Sequence, residues 1–233
     1  MGLWTAILWL QISPISTHRP TQGINAFIVE PQALQIESGY QPFWVPRKSP
    51  TQETVLQVRK GMLRKWEGIL TAGIDWAGFS VMPLSFAIKG YLLSQDCFTL
   101  CGAGWGYLPV AEHPAGGQLW LIGDWMPLRK GTLTINLVGG YFVSGAQGLL
   151  TAFYTHSINE RLSIWGEAFM YVPEAPGATR SRYGGGIGGQ VLLEAAQRTA
   201  FDLAMNVSTH GIQMLFGISR KFVLSAPRQF MQP

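Results

Sequence analysis

The stretch Gly131–Val172 constrains this chain more than any other. It reads as three consecutive strands joined by very short turns, each alternating in chemistry. In the first, Leu133, Ile135, Leu137, Tyr141 and Val143 share one face, and Thr132, Thr134 and Asn136 lie on the other. In the third, Leu162, Ile164, Ala168, Met170 and Val172 oppose Ser163, Trp165, Glu167 and Tyr171. Alternation with period two over about ten residues belongs to a strand with a different solvent on each side. The apolar side meets either a protein core or lipid, and periodicity is blind to which.

The same pattern extends over most of the chain. Segments near 34–45, 53–64, 68–79, 83–93, 97–108, 117–128, 132–143, 147–158, 161–172, 181–194, 199–209 and 212–222 alternate and are bounded by turn residues. That makes about twelve strands, with ten possible because the first two are the least regular. Connections on one side of the array are all tight: Ala195–Arg198, Asn159-Glu160, Arg129–Gly131, Ser94–Asp96 and Lys65–Glu67. The other side holds the three longest, Pro173–Arg180, Pro109–Gly116 and Pro46–Gln52. Short turns at one end and longer loops at the other are the asymmetry of a transmembrane barrel. An even strand count puts both termini at the short-turn end.

Composition decides which solvent the apolar faces meet. Only 13% of the 233 residues are charged, about half the share usual for a soluble domain. If Phe86, Ile88, Leu92, Ile135, Leu137, Leu203, Met205, Phe216 and Ile218 formed a closed core, the exterior would be Thr, Ser, Asn, Gly, Trp and Tyr, with almost no Lys or Glu. A water-facing surface needs far more charge. The apolar faces are therefore expected outward, toward lipid, with Ser85, Lys89, Tyr91, Thr134, Asn136, Asp202, Asn206, Gln213 and Ser219 inside. Aromatics near strand ends (Trp44, Trp66, Phe79, Trp105, Tyr107, Tyr171, Tyr183) are expected to form interfacial girdles.

Residues 1–17 carry a short apolar run, Gly2–Ile12, of signal-peptide rather than spanning length. Residues 18–33 read as a linker, 34–222 as the barrel and 223–233 as a C-terminal tail. The net charge of +4 comes without a nucleic-acid motif, and its densest run, Arg59-Lys60 with Arg64-Lys65, reads as a solvated edge.

Candidate chemistry is sparse. Asp75, Lys89, Asp124, His156, Glu167 and Asp202 are expected to line the lumen, with Asp75 and Lys89 close enough to pair. His156-Ser157 suggests a hydrolase pair. However, a two-residue turn at Asn159-Glu160 pairs His156 with Ser163, turning His156 inward and Ser157 outward, so no catalytic residues are assigned. Cys97 and Cys101 lie about 13 Å apart if on one strand, beyond disulfide reach. Without His or carboxylate partners they make no metal site, so both read as small interior residues; neither metal nor cofactor is expected. Gly184, Gly186 and Gly188 share a face and leave room for Trp165 or Phe169 to fill the lumen. Gly102, Gly104 and Gly106 share an outward face, where a partner could dock.

These segments, turns and the final strand Ile212–Phe222 resemble the bacterial outer-membrane β-barrel class. The resemblance is architectural, covers about 34–222, and implies an all-β, closed, antiparallel, up-and-down barrel in the outer membrane, in contact with membrane lipid. One departure is that Val223–Pro233 follows the last strand, where many members end on a terminal aromatic. The resulting expectation is a narrow pore or passive transport barrel. The alternative is a structural or assembly barrel that docks envelope proteins through the Gly102–Gly106 face or the tail. A lipid-modifying enzyme and a soluble β-barrel binder rank below both.

Overall fold

The computed structural model describes residues 24–47, 49–63, 65–110, 115–128, 130–142, 145–173, 182–193 and 198–224. The expected signal peptide and nearly all of the C-terminal tail lie outside them. The chain forms β1 (Ala33–Trp44), β2 (Thr51–Leu63), β3 (Trp66–Asp75), β4 (Ser80–Val81), β5 (Ser85–Gln95), β6 (Phe98–Tyr107), β7 (Gly116–Leu128), β8 (Gly131–Phe142), β9 (Gly145–Ser157), β10 (Leu162–Pro173), β11 (Arg182–Leu192), β12 (Thr199–Ser208) and β13 (Gly211–Val223). Each long strand pairs antiparallel with its neighbours, and β1 closes on β13 from Ala33↔Val223 to Trp44↔Ile212. The two-residue β4 extends the β3 ladder and shares one wall position with β5. The result is the expected closed up-and-down barrel of twelve staves.

Its polarity is inverted relative to a soluble barrel. Glu37, Arg59, Glu67, Lys89, Asp124 and Asn136 are 0% exposed on the inner face, whereas Leu119 and Leu137 are 74% and 58% exposed on the outer. Phe86, Ile88, Ile135, Leu203, Phe216 and Ile218 continue this outer apolar band. Only hydrocarbon makes such an exterior stable, while the lumen satisfies the polar groups. Strands of ten to thirteen residues are long enough to cross a bilayer at the usual tilt.

Both ends of the chain's barrel region lie at the end where β2–β3, β5–β6 and β7–β8 are joined by two residues each. Register irregularities at Gly61/Leu63, Tyr91/Leu93 and Trp125/Leu128 also sit there. At the opposite end β3 stops at Asp75, short of the expected 79. The Asp75 carboxylate accepts the Ala77 amide at 2.9 Å, and Phe79 takes a left-handed conformation (φ 48°) that reverses the chain. Of the aromatics expected at the interfaces, Trp44, Trp66, Phe79 and Tyr183 are exposed near strand ends. Trp105, Tyr107 and Tyr171 instead turn inward: Trp105 packs on Trp120, Tyr107 donates to Gln118 and Tyr171 lines an internal cavity.

Candidate functional site in the barrel lumen

Four neighbouring strands each send one charge to the same level of the lumen. Glu37 on β1, Arg59 on β2, Glu67 on β3 and Lys89 on β5 form a continuous ion-pair girder across the wall. Arg59 Nη1 donates to Glu37 Oε1 at 3.0 Å, and Nη2 donates to the two Glu67 oxygens at 2.9 and 3.0 Å. Lys89 Nζ lies 3.3 Å from Glu67 Oε1, its directly paired residue in the ladder. Gln35 donates to Glu37 at 2.9 Å. Alternation explains the alignment, because Gln57 and Arg59, like Glu67 and Ile69, occupy inward positions. Buried charges are tolerated only when paired and hydrogen-bonded in this way, and removing one member costs about 3–5 kcal/mol.

A second element lies on top of the girder. Residues 24–32 run from β1 back into the barrel and climb its inner wall as an extended strap. The wall reads the strap's main chain with side chains. Val29 N donates to Glu67 Oε2 (2.8 Å), Ile28 N to the Tyr91 hydroxyl (3.3 Å), Ala26 N to Asp124 Oδ2 (2.9 Å) and Ile24 N to Asn136 Oδ1 (2.8 Å). In return Phe27 O accepts from Lys89 Nζ (2.6 Å) and Arg59 Nη2 (3.3 Å), and Ala26 O accepts from the Cys101 thiol (2.9 Å). Asp124 also accepts from Thr134 Oγ1 at 2.7 Å. Ile24 and Ala26 pack with Cys101, Ala103 and Ile122, beside Trp105 and Trp120. At its root, Glu30 pairs with Lys221 of β13 at 2.6 Å, and Pro31 O accepts from Lys60 at 2.7 Å. Residues 24–30 of the expected linker are thus inside the barrel, and Pro31 and Gln32 form the exposed turn into β1.

The far wall is filled by bulk. Phe169 and Trp165 on β10 face Gly184 and Gly188 on β11 in the ladder, and a methyl at either glycine would collide with the ring opposite. The glycine row therefore does what its spacing suggested. Glu167 lies between these rings, opposite Gly186 and Phe153, and Asp202 accepts from Gln190 at 2.9 Å. Toward the long-loop end a cavity of about 230 Å³ opens among Gln118, Trp120, Val138, Leu149 and Tyr171.

Lys89, Asp124, Glu167 and Asp202 are each under a tenth exposed, on inward positions of their strands. Asp75 does not pair with Lys89. It ends β3 at the long-loop rim, eight residues from Glu67, which takes Lys89 instead. His156 is also misplaced by the sequence reading. The β9–β10 turn spans Ile158–Arg161, with Asn159 Oδ1 accepting the Arg161 and Leu162 amides at 2.8 and 2.9 Å, so Ser157 pairs with Ser163 and His156 with Ile164. A one-residue slip inverts every facing. His156 therefore lies on the outer face, stacked on Tyr154, while Ser157 faces inward. His156 and Ser157 thus still diverge.

Three further readings change. Arg59, taken with Lys60 as a solvated edge, is wholly buried. Cys97 is exposed in the β5–β6 turn, and only Cys101 is interior. The outward notches at Gly102 and Gly106 are covered by Leu92 and Phe86 of the same barrel, at 3.3 and 2.6 Å from an added methyl. Glu37, Arg59 and Glu67 are not among the residues the sequence places in the lumen. The signal that marks them is their period-two placement beside other inward residues on adjacent predicted strands.

No family model matches the sequence, and no curated protein matches it. Solved structures do match its fold. The KdgM porin superposes with a TM-score of 0.67 at 7% identity, covering 81% of this chain and 99% of that one. The NanC porin gives 0.64 at 11% identity, covering 81% and 100%. The COG4313 outer membrane channel from Pseudomonas putida F1 gives 0.65 at 8% identity, covering 84% and 98%. At these identities the likeness is one of fold, and the fold this chain shares is the small outer-membrane porin barrel.

Proposed function

We propose that the protein is a narrow passive pore of the bacterial outer membrane. One observation carries the reading: a lipid-facing exterior encloses a lumen whose wall from β1 to β8 carries a run of charged and amide side chains, Glu37, Arg59, Glu67, Lys89, Asp124 and Asn136. A barrel serving only as a scaffold could fill its interior with apolar groups, as soluble barrels do. Charged groups at membrane depth belong to a watery path or to a closed ion-pair plug. The porin and channel neighbours support the first.

The inner face also supports a solute preference. Among described buried residues, Glu37, Glu67, Asp124, Glu167 and Asp202 oppose Arg59, Lys89 and Lys221, an acidic excess that favours cations and neutral solutes over anions. Lipid hydrolysis has no support, because His156 and Ser157 point to opposite faces.

The test is single-channel recording of the refolded protein in planar bilayers. The expected result is discrete conductance with a reversal potential showing cation preference in a KCl gradient. Absence of any conductance in protein shown folded by heat-modifiable gel migration would favour the second reading, a structural barrel. That reading draws its support from the occupied lumen.

A further inference from the structure

The strap is held differently from the strands around it. Ile24–Val29 carries no charge and joins no ladder; its main chain is gripped by side chains of β2, β3, β5, β6, β7 and β8. Its inner edge is loosely covered, with Phe27 40% exposed while Ala26 is wholly buried. Every wall group that hydrogen-bonds to it would be solvated by water entering a vacated lumen, and its clustered apolar contacts are those of Ile24 and Ala26 against Cys101, Ala103 and Ile122. Withdrawal therefore exchanges hydrogen bonds rather than stranding buried polar atoms.

The wall is also cut to receive the strap. At Gly61 on β2 an added methyl would overlap the carbonyls of Glu30 and Val29. Glycine is needed here because another backbone approaches too closely for a side chain.

We infer that residues 24–30 are a displaceable plug. They close the conduit by lying along the girder, and their withdrawal opens a path past Glu67, Lys89, Asp124 and Asn136. The inference rests on the pore reading and adds a closed resting state set by the chain's own N-terminal segment. Cys101 reports on it, since its thiol is wholly buried beneath Ala26.

Three proteins in a Cys97→Ser background test this: the otherwise native full-length chain, its Gly61→Val variant, which fills the notch without changing a charge, and a deletion of residues 24–30. Single-channel conductance and the rate of Cys101 modification by a small cationic methanethiosulfonate are measured on each. The native chain should be mostly closed and modified slowly. Gly61→Val should raise open probability and modification rate at least tenfold, and the deletion should be constitutively open. Equal, measurable conductance and equal modification in all three would overturn the plug and leave the pore intact. A deletion variant that is folded by heat-modifiable migration yet conducts nothing would remove the pore reading, and the plug with it.

Discussion

Replacing Arg59 by methionine keeps much of the side-chain volume and removes the guanidinium from between two carboxylates. Three charge-assisted hydrogen bonds disappear, one to Glu37 and two to Glu67, together with the donor to Phe27 O. All three side chains are at most 1% exposed in these pairs, so water cannot readily replace what is lost. Removing one partner from such a site costs about 3–5 kcal/mol. With a urea dependence of about 2–3 kcal/mol per M, the unfolding midpoint followed by tryptophan fluorescence in detergent should fall by about 1–2.5 M. Adding Glu37→Gln to Arg59→Met restores the local charge balance, leaving Glu67 with Lys89. It should recover about 1–2 kcal/mol, within the range seen for directly coupled neighbours. Arg59→Lys should fall between, because an ammonium cannot span both carboxylates as the guanidinium does. A midpoint shift below about 0.3 M for Arg59→Met would refute the girder as a stabilising element.

On the outer face, Ile135→Arg places a charge near the middle of β8 against lipid and should destabilise by about 2–4 kcal/mol, read from the same urea midpoint. Gly188→Val forces Trp165 from its seat and should cost about 1–3 kcal/mol, with partial relief on adding Trp165→Ala; no cost in the single variant would remove the cradle. His156→Ala should leave conductance and ion preference unchanged, whereas Asp124→Asn should weaken cation preference. The reverse pattern in reversal potentials would place His156 in the path.

What the sequence makes visible depends on how local its cause is. Alternation is a property of a single strand, so the facings of Leu133, Ile135, Asp124 and Asp202 could be read directly. The glycine row at 184, 186 and 188 was legible because three glycines on one face of a strand remove volume that a neighbouring ring must fill. Register was not legible at β9–β10. There the Asn159 side chain closes a longer turn than the two residues expected, and the slip reverses His156. Glu67 was assigned to a turn because the β2–β3 connection is Arg64-Lys65, one position earlier than expected. The strap was hidden for a different reason. Ile24–Val29 pairs with side chains scattered over six strands, so neither its period nor its composition marks the contact.

The closure of the barrel has a consequence for how it is assembled. Joining β1 to β13 brings together residues from nearly opposite ends of the chain, whereas every other ladder between long strands joins one stave to the next in sequence, β3 to β5 past the two-residue β4 included. Loop-closure entropy makes this seam the slowest contact to form. The groups that bind the strap lie on β2 to β8 and are in place once the first half of the sheet has curled. The thread can therefore be laid on the half-built wall, and the second half wraps over it. The Glu30–Lys221 pair forms only when the seam meets, tying the thread's root to the last strand. Lys221→Ala should therefore slow the final closing step, seen as the heat-modifiable gel shift, while leaving earlier strand formation unchanged.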